Sequence, residues 1–189
     1  DSDDMPLRES SLPRPVSPYG VTKLAAEHLC RLYTVNHGIP TVSLRYFTVY
    51  GPRQRPDMAF HIFLRAMLEG RPIEIYGDGE QTRSYCYIDD CVEGIHRLMR
   101  SQHRDPLNLG QDRLVSIEEL VRIVAFIAGK SVKLRYDTSK PQGVRGRNSD
   151  NTHLRHVLGW VPTTSLERGL ELTYRWIESR LRAQNRLPG

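Results

Sequence analysis

The chain reads as an α/β fold, and three observations point there. Short β-branched or aromatic runs alternate with amphipathic helical stretches along its length. Serines and glycines stand where those stretches should start and stop: Ser17, Ser116 and Ser165 as caps, Gly38 and Gly70 as ends. The composition is globular, with 189 residues, 39% hydrophobic, 8% aromatic, 14 Gly and 12 Pro, which excludes a disordered or collagenous chain. That length suits one large domain or one and a half small ones.

Taken in order, residues 1–16 are polar and Pro-rich and read as an extended loop. Ser17 as N-cap and Pro18 at the first helical position open a helix carrying Leu24, Ala25, Leu29 and Leu32 at helical spacing, stopped by Gly38. PTVSLRYF (40–47) reads as a buried strand and TVYGPRQRPD (48–57) as a loop. A helix over 58–69 should end at Gly70. PIEIYG (72–77) is a strand, GDGEQTR (77–83) a turn, SYCYI (84–88) a second strand, and DDCVEGIHRLMR (89–100) a helix opened by two acids. PLNLG (106–110) is a short strand. Ser116 caps a helix to 129, with Glu119 at the capping-box position. SVKLRY (131–136) is a strand, 137–150 a loop, 151–158 a short helix, and Ser165 caps the last helix to about 184.

Several function classes drop out. No apolar stretch approaches the roughly 18 residues of a membrane span, and DSDDMPLRES lacks the apolar core of a signal peptide. The net charge is +5, from 23 arginines and four lysines against 22 acids. The arginines are dispersed, unlike a nucleic-acid patch, and fit a solvated surface with a few reserved for a phosphorylated small ligand. Cys30, Cys86 and Cys91 form an odd set without CxxC, as expected of buried free thiols in a reducing cytosol. The seven histidines show no metal-ligand spacing; His96, His153 and His156 fall on helices, and Trp160 and Trp176 read as core anchors.

Tyr19 and Lys23 carry the sharpest chemical signal. Four residues advance about 400° and about 6 Å along a helix, so the two share a face. A tyrosine hydroxyl ordinarily titrates near 10, too high for a neutral-pH base. An ammonium about 5 Å away, at an effective dielectric of about 20, contributes roughly 3 kcal/mol, enough to let a phenol exchange a proton with an alcohol. The close-spaced glycines, Gly77/Gly79 and Gly143/Gly146, do not form a G-x-G-x-x-G turn between strand and helix, so no phosphate-binding fingerprint for a dinucleotide is present.

SPYGVTKLAAEHL resembles the catalytic helix of extended short-chain dehydrogenase/reductases. The likeness continues through LRYFTVYGPRQRPDMAF, YGDGEQTRSYCYIDDCVEGI, PLNLG, LGW and SLERGLELTYRWI, in order. These blocks resemble the NAD-dependent nucleotide-sugar epimerase/dehydratase family. The resemblance implies an extended Rossmann fold without its first third: 1–50 a Rossmann remnant with the catalytic helix, 51–189 mainly a nucleotide-sugar lobe with returning Rossmann elements. It implies an NAD-using homodimer, expected in the cytoplasm; without the Gly fingerprint this chain alone should not hold NAD tightly, and the dispersed arginines and short apolar runs leave no nucleic-acid or membrane partner expected.

By that resemblance Tyr19 is the acid/base and Lys23 holds the cofactor ribose beside it. The family's catalytic Ser/Thr is not assigned to Ser10 or Ser11. TVYGPRQRPDM is similar to UDP-glucuronate 4-epimerases, where the threonine and second arginine, here Thr48 and Arg55, flank the sugar carboxylate. Arg83 matches a diphosphate contact, although Ser84 stands where the family usually has aspartate. Arg145 and Arg147 are candidates for a second diphosphate contact, in a string, GVRGRNSDN, more like GDP-mannose 3,5-epimerases. Those relatives carry an added lysine after Tyr-Gly-Pro that this chain lacks. The expectation is a UDP-glucose/UDP-glucuronate 4-epimerase acting by transient C4 oxidation, inactive as this chain alone. GDP-mannose 3,5-epimerase, a sugar-nucleotide dehydratase and a non-catalytic nucleotide-sugar-binding module remain open alternatives.

Overall fold

Residues 5–140 and 145–186 are described by the structure, a computed structural model. Helix α1 (Pro18–His37) starts as its sequence dictates. The Ser17 hydroxyl accepts the Gly20 N–H at 3.1 Å, and Gly38 closes the far end at φ 66°. Then come β1 (Leu44–Tyr46), β2 (Thr48–Tyr50), α2 (Ala59–Leu68), β3 (Ile73–Tyr76), β4 (Thr82–Arg83) and β5 (Tyr85–Tyr87). Helix α3 (Ile88–Met99), β6 (Leu107–Leu109), β7 (Val115–Ser116), α4 (Ile117–Ala128), β8 (Leu134–Asp137), α5 (Thr152–Leu158) and α6 (Leu166–Ala183) complete the order. Ser116 and Ser165 cap α4 and α6 through bonds from the Glu119 and Arg168 N–H groups.

The strands pair two by two. β1 with β6, β2 with β5 and β3 with β8 are parallel, each pair bridged by a helical crossover, and β4 with β7 is antiparallel. Two apolar clusters hold them. The larger lies among α2, α4 and α6, where Phe63, Leu64, Leu120, Val124, Leu170 and Ile177 are buried. Its aromatic centre stacks Tyr50 on Phe60 at 4.7 Å, with Tyr85 edge-on to Phe60 at 4.5 Å. Burying a side chain such as Phe60 stabilises by about 1.5–3 kcal/mol. Burial pushes the Tyr50 phenol well above its usual range, so it stays protonated and donates to the Leu166 carbonyl at 3.2 Å. The smaller cluster joins Cys86, Cys91, Leu98, Leu107, Leu109 and Leu154.

Several expectations are corrected. The strand over 40–47 shrinks to Leu44–Tyr46 and is half-buried rather than buried. Pro40 has no N–H, and the Thr41 N–H donates to the Thr34 hydroxyl on α1, so that backbone is not free to pair. Thr48 lies in β2 rather than a loop, because Thr48–Val49–Tyr50 aligns beside Tyr85–Tyr87. The 77–83 turn gives way to strand at Thr82 and Arg83, which pair with Ser116 and Val115. Helix α2 does end at Gly70, at φ 67°, and is only one residue shorter at each end than 58–69. Asp89 and Asp90 do stand in the first turn of α3 as expected, and Asp90 is in addition buried, accepting the Thr164 N–H at 2.9 Å. Cys30 is only half-buried, and Trp160 and Trp176 are half-buried beneath the Arg97 and Arg180 guanidiniums.

Candidate active site

Helix α1 presents Tyr19 and Lys23 to solvent on one face. Tyr19 is 71% exposed, and the Lys23 ammonium lies over its ring, 5.2 Å from the centroid. Helix α1 contributes no buried residue. Its position depends on polar ties instead. The Thr34 and Thr41 hydroxyls meet at 2.6 Å, and Thr41 Oγ1 also donates to the Cys30 carbonyl at 2.9 Å. Further up the helix, Glu27 receives Arg45 of β1 through two bonds, at 2.9 and 2.7 Å. The Arg45 hydrogen bond holds the Glu27 carboxyl below its usual range, and Glu27 raises the Arg45 guanidinium in return; partial burial opposes both shifts.

Thr48 is half-buried opposite Tyr85. Arg55 projects from the following turn, pairs with Asp57 at 3.1 Å, and approaches the Met58 sulfur at 3.8 Å. The turn is pinned from within, since Gln54 Nε2 donates to the Val49 carbonyl at 3.0 Å. Arg55 is therefore free to reach a ligand once it leaves a solvated partner, an exchange that costs little at an exposed ion pair.

The three remaining arginines separate. Segment 145–147 runs beside β4, with the Thr82 N–H on the Arg145 carbonyl at 2.9 Å and the Ser84 N–H on the Arg147 carbonyl at 3.0 Å. That spacing sets Arg83 beside Arg147. Burial lowers the Arg83 guanidinium's affinity for its proton; Tyr85 opposes this and Arg147 adds to it. Two neighbouring cations, one half-buried, make a site that favours a dianion. Arg83 itself is steadied by donating Nη1 to the Thr82 carbonyl at 2.7 Å. Ser84, in the aspartate's place, is fully buried and gives Arg83 no carboxylate; its hydroxyl, Gln81 Oε1 and Asn148 Oδ1 are buried without a partner among the described residues. Arg145 differs, turning to Asp78 at 3.6 Å and Glu80 at 3.4 Å. The structure thus brings Arg83 and Arg147 together and leaves Arg145 neutralised by acids.

A dinucleotide would find the Tyr19 hydroxyl and the Lys23 ammonium available for its ribose. A pyrophosphate cradle is not offered by the described residues. Gly51 is the glycine between β2 and α2, but a Cβ there would lie 2.4 Å from Ile88 Cγ2, so Ile88 already fills that space. Helices α3 and α4 begin directly after Tyr87 and Ser116. Tyr19 lines neither of two surface cavities. One of about 680 Å³ is lined by Arg8, Glu9, Asp150 and His156 among others, and one of about 240 Å³ by Val42, Leu44 and Met99 among others. No group of three or more metal-type ligands occurs among the described residues, and no described helix is long and apolar enough to cross a membrane. The Arg45–Glu27 pair escaped the sequence reading, although Glu27 follows Lys23 at the same four-residue step.

A family model described as the NAD dependent epimerase/dehydratase family matches residues 1–110. GDP-mannose 3,5-epimerase 1 of Oryza sativa subsp. indica is 40% identical over 174 residues, covering 88% of this chain and 45% of that protein. UDP-glucuronate 4-epimerase of Thermodesulfobacterium geofontis is 35% identical over 168 residues, covering 88% and 52%. Among solved structures, UDP-glucuronic acid 4-epimerase from Bacillus cereus, in complex with UDP-glucuronic acid and NAD, superposes with a TM-score of 0.89 at 42% identity. That match covers 95% of this chain and 58% of the other. UDP-glucose 4-epimerase of Thermotoga maritima, with UDP-glucose, gives 0.92 at 33% identity, covering 96% and 60%. The chain spans about half the length of the curated relatives it matches.

Proposed function

The chain belongs to the NAD dependent epimerase/dehydratase family, and on that premise we propose that it provides the proton-handling pair and the nucleotide-sugar lobe of a UDP-sugar 4-epimerase acting on UDP-glucuronate or UDP-glucose. The observation that carries this reading is Lys23 poised 5.2 Å over the ring of an exposed Tyr19. NAD, when bound, supplies the acceptor that takes the C4 hydride and gives it back to the other face. Tyr19 Oη takes the proton from the C4 hydroxyl during oxidation and returns it after the keto sugar has turned over. Lys23, lying over the Tyr19 ring, reaches the cofactor ribose. Arg83 and Arg147 hold the diphosphate, with Arg145 joining if it leaves Asp78 and Glu80. Thr48 and Arg55 hold the hexuronate carboxylate, for which a planar guanidinium is suited.

The reading assigns 1–50 to a Rossmann portion and 51–189 mainly to sugar-nucleotide binding. In its support, Val42, Leu44 and Val49 pack with α3, β6 and α5, whereas α2, α4 and α6 enclose a separate core. We propose a cytoplasmic enzyme and, from the exposed Leu29, Leu32 and Val35 on α1, a homodimer. Without a pyrophosphate cradle this chain alone should neither hold NAD tightly nor turn over. A GDP-mannose 3,5-epimerase is the second reading, favoured by the GVRGRNSDN string. Calorimetric titration of the chain with UDP-glucuronate, UDP-glucose and GDP-mannose separates the two. UDP-sugar binding, together with loss of turnover in Tyr19→Phe of the whole protein, supports the first. Preference for GDP-mannose overturns it.

A further inference from the structure

Arg45 is held on three sides. Besides its two bonds to Glu27, its Nη1 donates to the Glu9 carbonyl at 3.0 Å, and the Glu9 carboxylate accepts the Asn108 N–H of β6 at 2.9 Å. Both ion-pair partners are largely covered, with 26% and 19% of their side chains exposed. Tyr19, Lys23 and Glu27 follow one another at four-residue steps on one helix face. Residues four apart on a helix are surface neighbours, so the Glu27 carboxylate is within reach of Lys23. Lys23 nevertheless lies over the Tyr19 ring, while both Glu27 oxygens are taken by Arg45.

We propose that Arg45 is a positioning residue: by occupying both oxygens of Glu27 it keeps that carboxylate from drawing Lys23 away from Tyr19. The inference rests on the reading of Tyr19 and Lys23 as the proton-handling pair. An exposed cation–π contact is a weak hold, whereas a largely covered carboxylate stripped of its partner attracts any cation within reach. Without Arg45, Glu27 competes for Lys23 and prevails. The bonds from Arg45 to Glu9, and from Glu9 to Asn108, keep the guanidinium with the β1–β6 pair, so it does not follow the helix.

The ring current of Tyr19 reports the placement directly in this chain. It should displace the Lys23 ε-methylene proton resonances upfield, an assignment checked with Tyr19→Leu, which has no ring. In Arg45→Ala that displacement should fall by half or more. In Arg45→Ala/Glu27→Gln, which removes the competing charge, it should return. Should Arg45→Ala fail to fold, Arg45→Gln, which keeps a donor, carries the same expectation. A displacement unchanged in the single variant, or lost equally in the double, overturns the proposal; the second pattern is what a merely structural Arg45 gives. In the whole protein, Arg45→Ala should lower kcat at least tenfold with KM for the sugar nucleotide unchanged, since small misplacements of reacting groups are expensive. If the resonances behave as expected but Tyr19→Phe retains turnover, the catalytic reading fails while the placement stands.

Discussion

Replacing Arg83 with methionine separates what that guanidinium does for ligand binding from what it does to the fold. It sits in β4 beside Arg147, half-buried, and its proton affinity is lowered first by burial and then by Arg147. The folded state therefore disfavours its charge at every pH where it is protonated. A neutral stem of similar length removes that penalty and gives up one bond to the Thr82 carbonyl. Thermal stability should hold or rise. Binding should move the other way. A charge-assisted contact to a phosphate contributes about 1.5–3 kcal/mol, which is roughly a 10- to 100-fold change in Kd. The assay pairs calorimetric titration of UDP and UDP-glucose with thermal melts of the same preparations. Because the diphosphate is common to both ligands, both affinities should fall by the same factor, and the gap should narrow at high salt. An unchanged Kd for UDP, or a lower Tm in Arg83→Met, would refute the assignment.

Other perturbations test neighbouring parts. Arg55→Ala should weaken UDP-glucuronate about 10- to 100-fold while sparing UDP-glucose, because only the former carries a carboxylate for that guanidinium; equal losses point to a neutral hexose. The hydrogen bond from Arg45 lowers the Glu27 pKa below 4.5 in the folded state, so Glu27 stabilises the fold above that value and loses its contribution as pH falls through the folded pKa. Chemical unfolding of the wild type and Glu27→Gln should accordingly differ at pH 7 and converge in acid, and a gap that persists in acid contradicts the ion pair. A Cβ on Gly169 would stand 2.1 Å from Tyr50 Oη and 2.8 Å from the Tyr87 ring. Gly169→Ala should cost about 1–3 kcal/mol and several degrees of Tm, read from a melt; an unchanged melt means that α6 shifts freely.

Local chemistry was legible wherever it acts over one helical turn. Ser17, Ser116 and Ser165 cap their helices as expected, because a hydroxyl two or three residues from a free N–H needs no partner from elsewhere. The Tyr19–Lys23 juxtaposition is likewise an intrahelical matter, settled by a four-residue step. What the sequence could not decide depends on segments far apart along the chain. Residues 40–43 have the composition of a strand but not its pairing, because Thr41 bonds back to Thr34. Thr82 and Arg83 look like turn residues and become strand only through Val115 and Ser116. The division of the arginines follows the same rule. Arg83, Arg145 and Arg147 are alike in sequence, yet the run of 145–147 along β4 leaves two cations side by side and gives the third to Asp78 and Glu80. Arg45 and Glu27 are 18 residues apart, and their pairing sets a helix that buries nothing of its own. Helix propensity and capping are properties of neighbouring residues, whereas strand pairing and charge neutralisation require a partner that only the folded chain brings within about 3 Å.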